Sequence, residues 1–220
     1  VWKKSPVVKE VSPSKDGDCA VVRVVFRTAA ANDFSVVYRI YPSGALKAEC
    51  VFDACAEGTP GLPRVGLRFR MPSGFGTVQY YGRGPEENYV DRKSGTFPGL
   101  YDADASDLYF PYVRPQENGH HTDVRSLRLT DGRGRGLLVC SDGLFEFNVL
   151  RNAVEDFDTS GPEKPQSHVC DIVGRNFVEV CLDHLHRGVG GYDSWGAEPE
   201  KKHMIDACRQ YNFAFTIVPR

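Results

Sequence analysis

The stretch FVEVCLDHLHRGVGGYDSWG, residues 177–196, joins two patterns that together favour an all-β protein. Apolar and polar residues alternate over residues 177–186, as in a strand with one face in the core. Four glycines follow within residues 187–196, where the backbone can turn sharply at small cost. The loop carries Trp195, one of two tryptophans in the chain. A functional loop on a rigid strand is one interpretation, and a Trp195 that only fills the core is the other.

Short runs rich in β-branched and aromatic residues surround this stretch. Further strands are predicted at residues 20–27, 34–42, 45–54, 64–71, 77–81, 124–129, 137–140, 144–150 and 211–218. Ser43 and Gly44 predict a hairpin, and residues 153–158 are expected to form one helical turn. We find no sustained helical period, internal repeat or linker. The prediction is one all-β domain over residues 1–220, a large antiparallel sandwich.

The region of residues 82–122 is rich in Gly, Pro, Asn and Asp and contains no clear element, which usually indicates function. His120 and His121 lie in it and are expected on an ordinary polar surface. His184 and His186 are expected to share one strand face. Because no third metal ligand can be assigned to them, solvated strand histidines are the favoured interpretation.

Composition excludes several classes of function. A net charge of −2 and a pI of about 6.3 give no electrostatic basis for binding nucleic acid or an anionic membrane. No apolar run approaches the ~18 residues of a membrane span. We expect a soluble protein, but a chain that begins at Val1 leaves open whether it is cytoplasmic or periplasmic. Seven scattered cysteines without a C-x-x-C motif favour free, mostly buried thiols.

Three motif regions follow one another along the chain. They are YGRGPEENYVDR (residues 81–92), YVRPQENG with TDVR (residues 112–119 and 122–125), and GVGGYDSW (residues 188–195). Together with LPRVG (residues 62–66), they resemble the C-terminal β-sandwich, or small-chain, domain of family 2 glycoside hydrolases of the β-galactosidase type. The resemblance runs from about residue 60 to the end, and more loosely upstream. The upstream part is short for the whole domain, so some first strands are expected to be missing.

The resemblance implies a galactose-mutarotase-like supersandwich with an accessory role. In that family, an acid/base Glu and a nucleophile Glu lie on a (β/α)₈ barrel earlier in the full-length chain. This chain has no room for such a barrel, so it is predicted to be inactive alone and to pack against that barrel. The implied partners are a galactoside substrate, the other domains of the same enzyme and further copies in a homo-oligomer. No cofactor is implied in this chain, whereas Mg and Na are implied on the barrel.

The resemblance also implies roles for individual residues. Trp195 is expected to complete the sugar pocket, with Asp193 and Ser194 contributing to substrate binding. Tyr192 stands where family members usually have an acid. No catalytic residue and no metal ligand is assigned. Ion pairs and hydrogen bonds that support the long loops are expected from Asn88, Asp91, Arg92, Glu117, Asn118, Asp123 and Arg125.

Two other functions remain open at this point. One is a free-standing carbohydrate-binding or aldose-1-epimerase-like protein, which needs a His acid and a Glu base facing one sugar. No spacing in the sequence singles out such a pair, and a concave pocket with convergent His and Glu would favour it. The other is an oligomerisation module, which, like the accessory role, would be favoured by an exposed apolar patch.

Overall fold

The computed structural model describes residues 5–28, 31–54, 61–158, 168–193 and 196–220, and their side chains except that of Asn32. Within these residues the protein is built from eleven strands. They are β1 (Val7–Asp16), β2 (Cys19–Thr28), β3 (Ala31–Ile40), β4 (Leu46–Asp53), β5 (Arg64–Pro72), β6 (Thr77–Gly84), β7 (Phe97–Asp104), β8 (His120–Thr130), β9 (Gly136–Leu150), β10 (Phe177–His186) and β11 (Gln210–Pro219). Three short 3₁₀ segments occur at Val154–Phe157, Val169–Asp171 and Lys201–His203. None of the helical segments in this part of the chain has the length or apolar character needed to span a membrane.

The strands form one antiparallel sheet that branches at β9. Its main path runs β1-β2-β3-β4-β11-β9-β8-β6-β7, and β10 leaves this path by pairing with both β9 and β5. The two strands predicted at residues 137–140 and 144–150 are one 15-residue strand. Its first half pairs with β11 and its second half with β10. The predicted all-β class is confirmed, as is the hairpin between β3 and β4.

The core lies where the central strands meet. Phe145, Phe147, Phe215 and Tyr80 are almost fully buried and belong to one continuous apolar cluster. Along β6, buried and more exposed residues alternate strictly, as the strand period of two requires. Burial of such large apolar side chains is the main contribution to the stability of the fold, about 1.5–3 kcal/mol for each side chain. The six cysteines in the described residues are free.

Two strands were absent from the sequence prediction, and both lie at the edges of the sheet. β1 is exposed along nearly its whole length, and β7 falls inside the region predicted to be irregular. Pro13 in β1 and Pro98 in β7 cannot donate to a ladder, which an edge strand tolerates. Neither strand needs an apolar face, so their sequences lack the alternation of apolar and polar residues that predicted the other strands. The 3₁₀ turn at Val154–Phe157 agrees with the predicted helical turn.

Candidate functional site

An open cleft of about 1070 Å³ lies beside β5 and β10. Its lining includes Arg64 at the start of β5, Asp183 and His186 of β10, and Tyr112 and Glu117 between β7 and β8. Several of these charged groups converge at its base, as described below. A cleft with convergent polar groups is the default candidate for a binding site.

A β-bulge at His184 brings Asp183 and His186 to the same side of β10. The pairing with β5 shifts register between Asp183 and Leu185, so one extra residue separates the two side chains. Without it, they would point to opposite faces. The prediction that His184 and His186 are solvated on one face is therefore wrong. His184 stacks on Phe213 with 5.2 Å between ring centroids, whereas His186 is buried at the cleft.

Arg64 and Asp183 form an ion pair at the base of the cleft. The Arg64 Nε atom donates to Asp183 Oδ1 at 3.1 Å, and Nη2 donates to Oδ2. Nη2 also donates to Asn148 Oδ1 at 2.6 Å, and Nη1 lies 3.5 Å from Glu117 Oε2. Each guanidinium nitrogen thus has an acceptor. Such a bidentate pair fixes both side chains, and since Asp183 is only 2% exposed, loss of its partner would be costly.

Glu117 is held in its ionised form. Burial raises the pKa of its carboxyl group, but the charge of Arg64 and interactions with His186 and His120 outweigh burial and lower the pKa to about 2. Its Oε1 accepts a hydrogen bond from Asn148 Nδ2 at 2.8 Å and lies 3.8 Å from His186 Nε2. At neutral pH this group can accept hydrogen bonds or contact a cation, but it has no proton to give.

His120 has a hydrogen-bond acceptor at both ring nitrogens. Nδ1 lies 2.8 Å from Asn148 Oδ1, and Nε2 lies 3.1 Å from Glu146 Oε2. The Asn148 amide nitrogen donates to Glu117 and to the Asn118 carbonyl, so its oxygen must face His120. The network therefore assigns a proton to each nitrogen. Burial lowers the pKa of His120, but the hydrogen bond and charge of Glu146 outweigh it, and the pKa is raised.

The prediction that His120 and His121 lie on a polar loop surface is wrong. They begin β8, and both are buried because this strand end pairs with the central strand β9. His121 stacks on Phe147 with 5.0 Å between ring centroids, and burial lowers its pKa to about 4. The histidine pair is thus interior, with one ring beneath the cleft and the other in the aromatic core.

Asp91 links the glycine loop to the rest of the site. Its carboxylate accepts from the backbone N–H of Val189 at 3.2 Å and of Gly190 at 2.7 Å. A Cβ atom at Gly188 would lie 2.4 Å from Asp91 Oδ2, so the loop approaches too closely for a larger residue. The glycines of this loop therefore allow its backbone to approach Asp91, so that one carboxylate accepts two backbone hydrogen bonds.

Comparison with known protein families identifies the family of the chain that carries this site. Residues 1–217 match the family described as Beta galactosidase small chain. The chain belongs to this family. The resemblance found from the motifs is thereby confirmed.

Curated proteins with the name Beta-galactosidase are similar to this chain. The small-chain sequence is 32% identical over 224 aligned positions to the protein of Priestia megaterium, covering 99% of this chain and 21% of that protein. It is 28% identical to the protein of Streptococcus thermophilus, with the same coverage. The Vibrio cholerae protein is 34% identical over 168 positions, which cover 76% of this chain and 15% of that protein. The chain thus spans about a fifth of the length of its relatives, or less.

In this small-chain domain, the predicted substrate-binding residues are only partly described. Asp193 Oδ1 accepts a hydrogen bond from the backbone N–H of Ala197 at 3.2 Å, which bridges the end of the glycine loop. Ser194 and Trp195 lie outside the described residues, so their role stays a prediction. Tyr192 is 92% exposed, which means that the residue replacing the usual acid takes no part in the core.

Two predicted loop-supporting asparagines are buried in the small-chain domain. Asn88 Oδ1 accepts from the backbone N–H of Thr122 at 2.9 Å and from its hydroxyl at 2.6 Å. The Asn88 amide nitrogen donates to two backbone carbonyls of the preceding turn. Asn118 Oδ1 accepts from the backbone N–H of Phe110 at 3.2 Å. Each amide satisfies backbone groups that the irregular chain leaves without strand partners.

Asp123 joins the end of β6 and the loop after it to the bulged part of β8. Its carboxylate pairs with Arg83 and, at 2.9 Å, with Lys93 Nζ. Its backbone has a φ of 54°, in the left-handed region that few residues other than glycine adopt. Arg125 donates to the Asp123 carbonyl at 2.7 Å and lies over the Tyr81 ring.

Arg92 and Glu87 connect the segment that follows β6 with the segment that precedes β8. Arg92 Nη2 lies 2.5 Å from Glu87 Oε1 and donates to the Tyr112 hydroxyl at 2.8 Å. Glu87 also accepts from the Tyr112 hydroxyl and from the backbone N–H of Gly119 at 2.6 Å. The segment that carries Glu117 is thereby attached to the segment that carries Asp91.

Four members of the site were not predicted from the sequence: Arg64, Glu146, Asn148 and Asp183. Asp183 occupies a polar position of an alternating strand, which the pattern assigns to solvent. Arg64 lies within the LPRVG motif, and this was its only signal. The four residues come from three strands, β5, β9 and β10, and only strand pairing brings them together.

Proposed function

We propose that the chain is the accessory C-terminal domain of a β-galactosidase. In the full-length enzyme it completes the sugar-binding pocket for terminal β-D-galactosides and packs against a catalytic barrel in another part of the polypeptide. The match of residues 1–217 to the small-chain family, shared with relatives about five times longer, carries this proposal. Other domains of the enzyme and further copies of it are the proposed partners.

Exposed apolar side chains support a role in contacts between domains. Phe97 and Leu100 of the edge strand β7 are 70% and 66% exposed, and Val113 is 88% exposed. Apolar side chains left this accessible suit burial against another domain. This support is independent of the family match.

The chemistry of the cleft supports an accessory rather than a catalytic role. A retaining glycosidase needs two carboxyl groups ~5–5.5 Å apart, one of them with a raised pKa so that it can donate a proton. At the base of this cleft, Asp183 and Glu117 contact Arg64, and Glu146 contacts His120. The pKa of Glu117 is lowered, which is the wrong direction for a general acid.

The 220-residue chain alone should therefore not hydrolyse galactosides. Purified protein incubated with a chromogenic β-galactoside should release no more chromophore than buffer does, because the lowered pKa of Glu117 leaves it without a proton to donate. The full-length β-galactosidase serves as the positive control. Turnover that survives repurification would contradict the proposal.

One observation favours the alternative of a free-standing sugar-binding or epimerase-like protein. The structure brings His186 Nε2 within 3.8 Å of Glu117 Oε1 at the cleft wall, a convergence that no sequence spacing indicated. The lowered pKa of Glu117 makes it a weak base, however, so the accessory role remains the better supported function.

Free galactose or lactose should bind this chain only weakly, with a Kd of about 1 mM or higher. One stacked ring and a few hydrogen bonds rarely provide more than ~4 kcal/mol after the costs of association. Calorimetry or chemical-shift titration measures this affinity, and polarimetry of α-D-galactose measures interconversion of the anomers. Micromolar binding, or interconversion that is lost in His186→Gln, would establish the alternative instead.

A further inference from the structure

We infer that Glu117, His120 and His186 form a binding site for one divalent transition-metal ion of the zinc type. A carboxylate oxygen and one ring nitrogen from each histidine lie within 4.8 Å of one another. Metal–ligand distances of about 2.0–2.2 Å place the ligand atoms about 3–4 Å apart. A movement of about 1 Å by these side chains would therefore bring all three ligand atoms to bonding distance of one ion.

Each of the three side chains already has an outer partner that orients it. His186 Nδ1 donates to the Arg187 carbonyl at 2.7 Å, so Nε2, which lies 3.8 Å from Glu117 Oε1, is the ring nitrogen that would bind the ion. His120 contacts the Glu146 carboxylate, and Glu117 accepts from Asn148. Histidines that bind metals almost always donate their second ring N–H to a carboxylate or a backbone carbonyl. His186 shows this arrangement through the Arg187 carbonyl, and His120 would keep one of its two present hydrogen bonds when the other nitrogen binds the ion.

The charges around the cluster match a divalent ion. Three carboxylates, Glu117, Glu146 and Asp183, lie around the cluster, and the guanidinium of Arg64 pairs with two of them. A divalent ion bound by Glu117 and two neutral imidazoles would balance the remaining negative charge. Metal ions bind deprotonated ligands and release their protons, while the other ring nitrogen keeps its hydrogen bond.

The donor set indicates the class of metal. Two imidazoles with one carboxylate suit zinc and its transition-metal neighbours, whereas magnesium and calcium prefer oxygen ligands. Cys181 is also buried near Arg64, but its sulfur is not among the ligand atoms that lie within 4.8 Å of one another. Glu117 and His186 line the cleft, which leaves the remaining coordination position open to water. This site departs from the expectation that the chain holds no metal.

The test uses the untagged 220-residue chain after treatment with a chelator. Titration calorimetry should show one equivalent of Zn²⁺ bound, at least 100-fold more tightly than Mg²⁺. Co²⁺ should give a ligand-field spectrum without a thiolate-to-cobalt charge-transfer band. X-ray absorption of the zinc form should show only nitrogen and oxygen neighbours at about 2.0–2.2 Å. Sulfur neighbours, or equal binding of Mg²⁺, would overturn the site.

Two variants locate the metal. His186→Gln should weaken Zn²⁺ binding by at least 10-fold, because it removes a ligand while keeping a side chain of similar size. His184→Gln is the matched control on the same strand and should bind as the parent does, since His184 stacks on Phe213 away from the cluster. Equal binding by both variants would refute the assignment. Circular dichroism checks that each variant is folded, and the X-ray absorption result stands without any variant.

Discussion

Replacing Asp183 with alanine should lower the free energy of unfolding by about 3–5 kcal/mol. The substitution leaves Arg64 charged and partly buried, with Asn148 and the more distant Glu117 as its remaining acceptors. For a chain of this length, each kcal/mol corresponds to about 2–4 °C, so the melting temperature should fall by roughly 6–20 °C. Urea unfolding followed by circular dichroism measures the change at constant m-value.

Asp142→Ala is the matched control for Asp183→Ala. Asp142 also pairs with a cation, Lys47 Nζ at 3.1 Å, but its side chain is 70% exposed. Such surface pairs contribute less than ~1 kcal/mol because water screens them and both side chains lose freedom. If the two variants lost equal stability, the ion pair in the cleft would stabilise the fold no more than a surface pair does.

Replacing Trp195 with alanine should raise the KM of the full-length β-galactosidase by about five- to 150-fold, with kcat little changed. This prediction depends on the proposed function. Stacking of a flat substrate face on an aromatic ring contributes roughly 1–3 kcal/mol, and equal stacking in the ground and transition states affects KM alone. Lactose should be affected more than small aryl galactosides. Steady-state kinetics with both substrates measures the effect.

Trp195→Phe is the control that separates stacking from structure. A smaller aromatic ring should recover part of the lost affinity, because it keeps a flat apolar face. The anchors of the loop, Asp91 and Asp193, are untouched by either substitution, so the fold should persist. If Trp195→Ala instead unfolds the domain while KM stays normal in the folded remainder, Trp195 belongs to the core.

The central strands could be predicted from the sequence because burial leaves a pattern. β6 and β10 both have a partner strand on each edge. Burial alternates along β6 as its sequence predicts, whereas β10 alternates in sequence but is buried on both faces over residues 178–183. The edge strands β1 and β7 need not fit a packed face, so they carry prolines and charges and give no periodic signal. The motif at residues 188–195 was informative for another reason, since close backbone approach to Asp91 demands glycine.

The cleft cluster could not be predicted because its members are distant in the chain. His120 and His121 stand in a polar stretch that looks like surface, yet pairing with β9 buries both. The bulge at His184 exchanges the faces of the residues that follow it, and one extra residue in a strand has no distinct composition. The pattern of period two therefore places Asp183 and His186 on opposite faces, whereas the bulge brings both to the cleft.

The sequence by itself determined the all-β class, the central strands and the small-chain family, because these depend on local periodicity and on motifs contiguous in the chain. Only the tertiary structure decided that Arg64, Glu117, His120, Asp183 and His186 form one charged cluster beneath a cleft. The physical reason is that the role of a charged side chain depends on how deeply it is buried and on which groups it contacts. Both are set by strand register and by one bulge rather than by the residue itself.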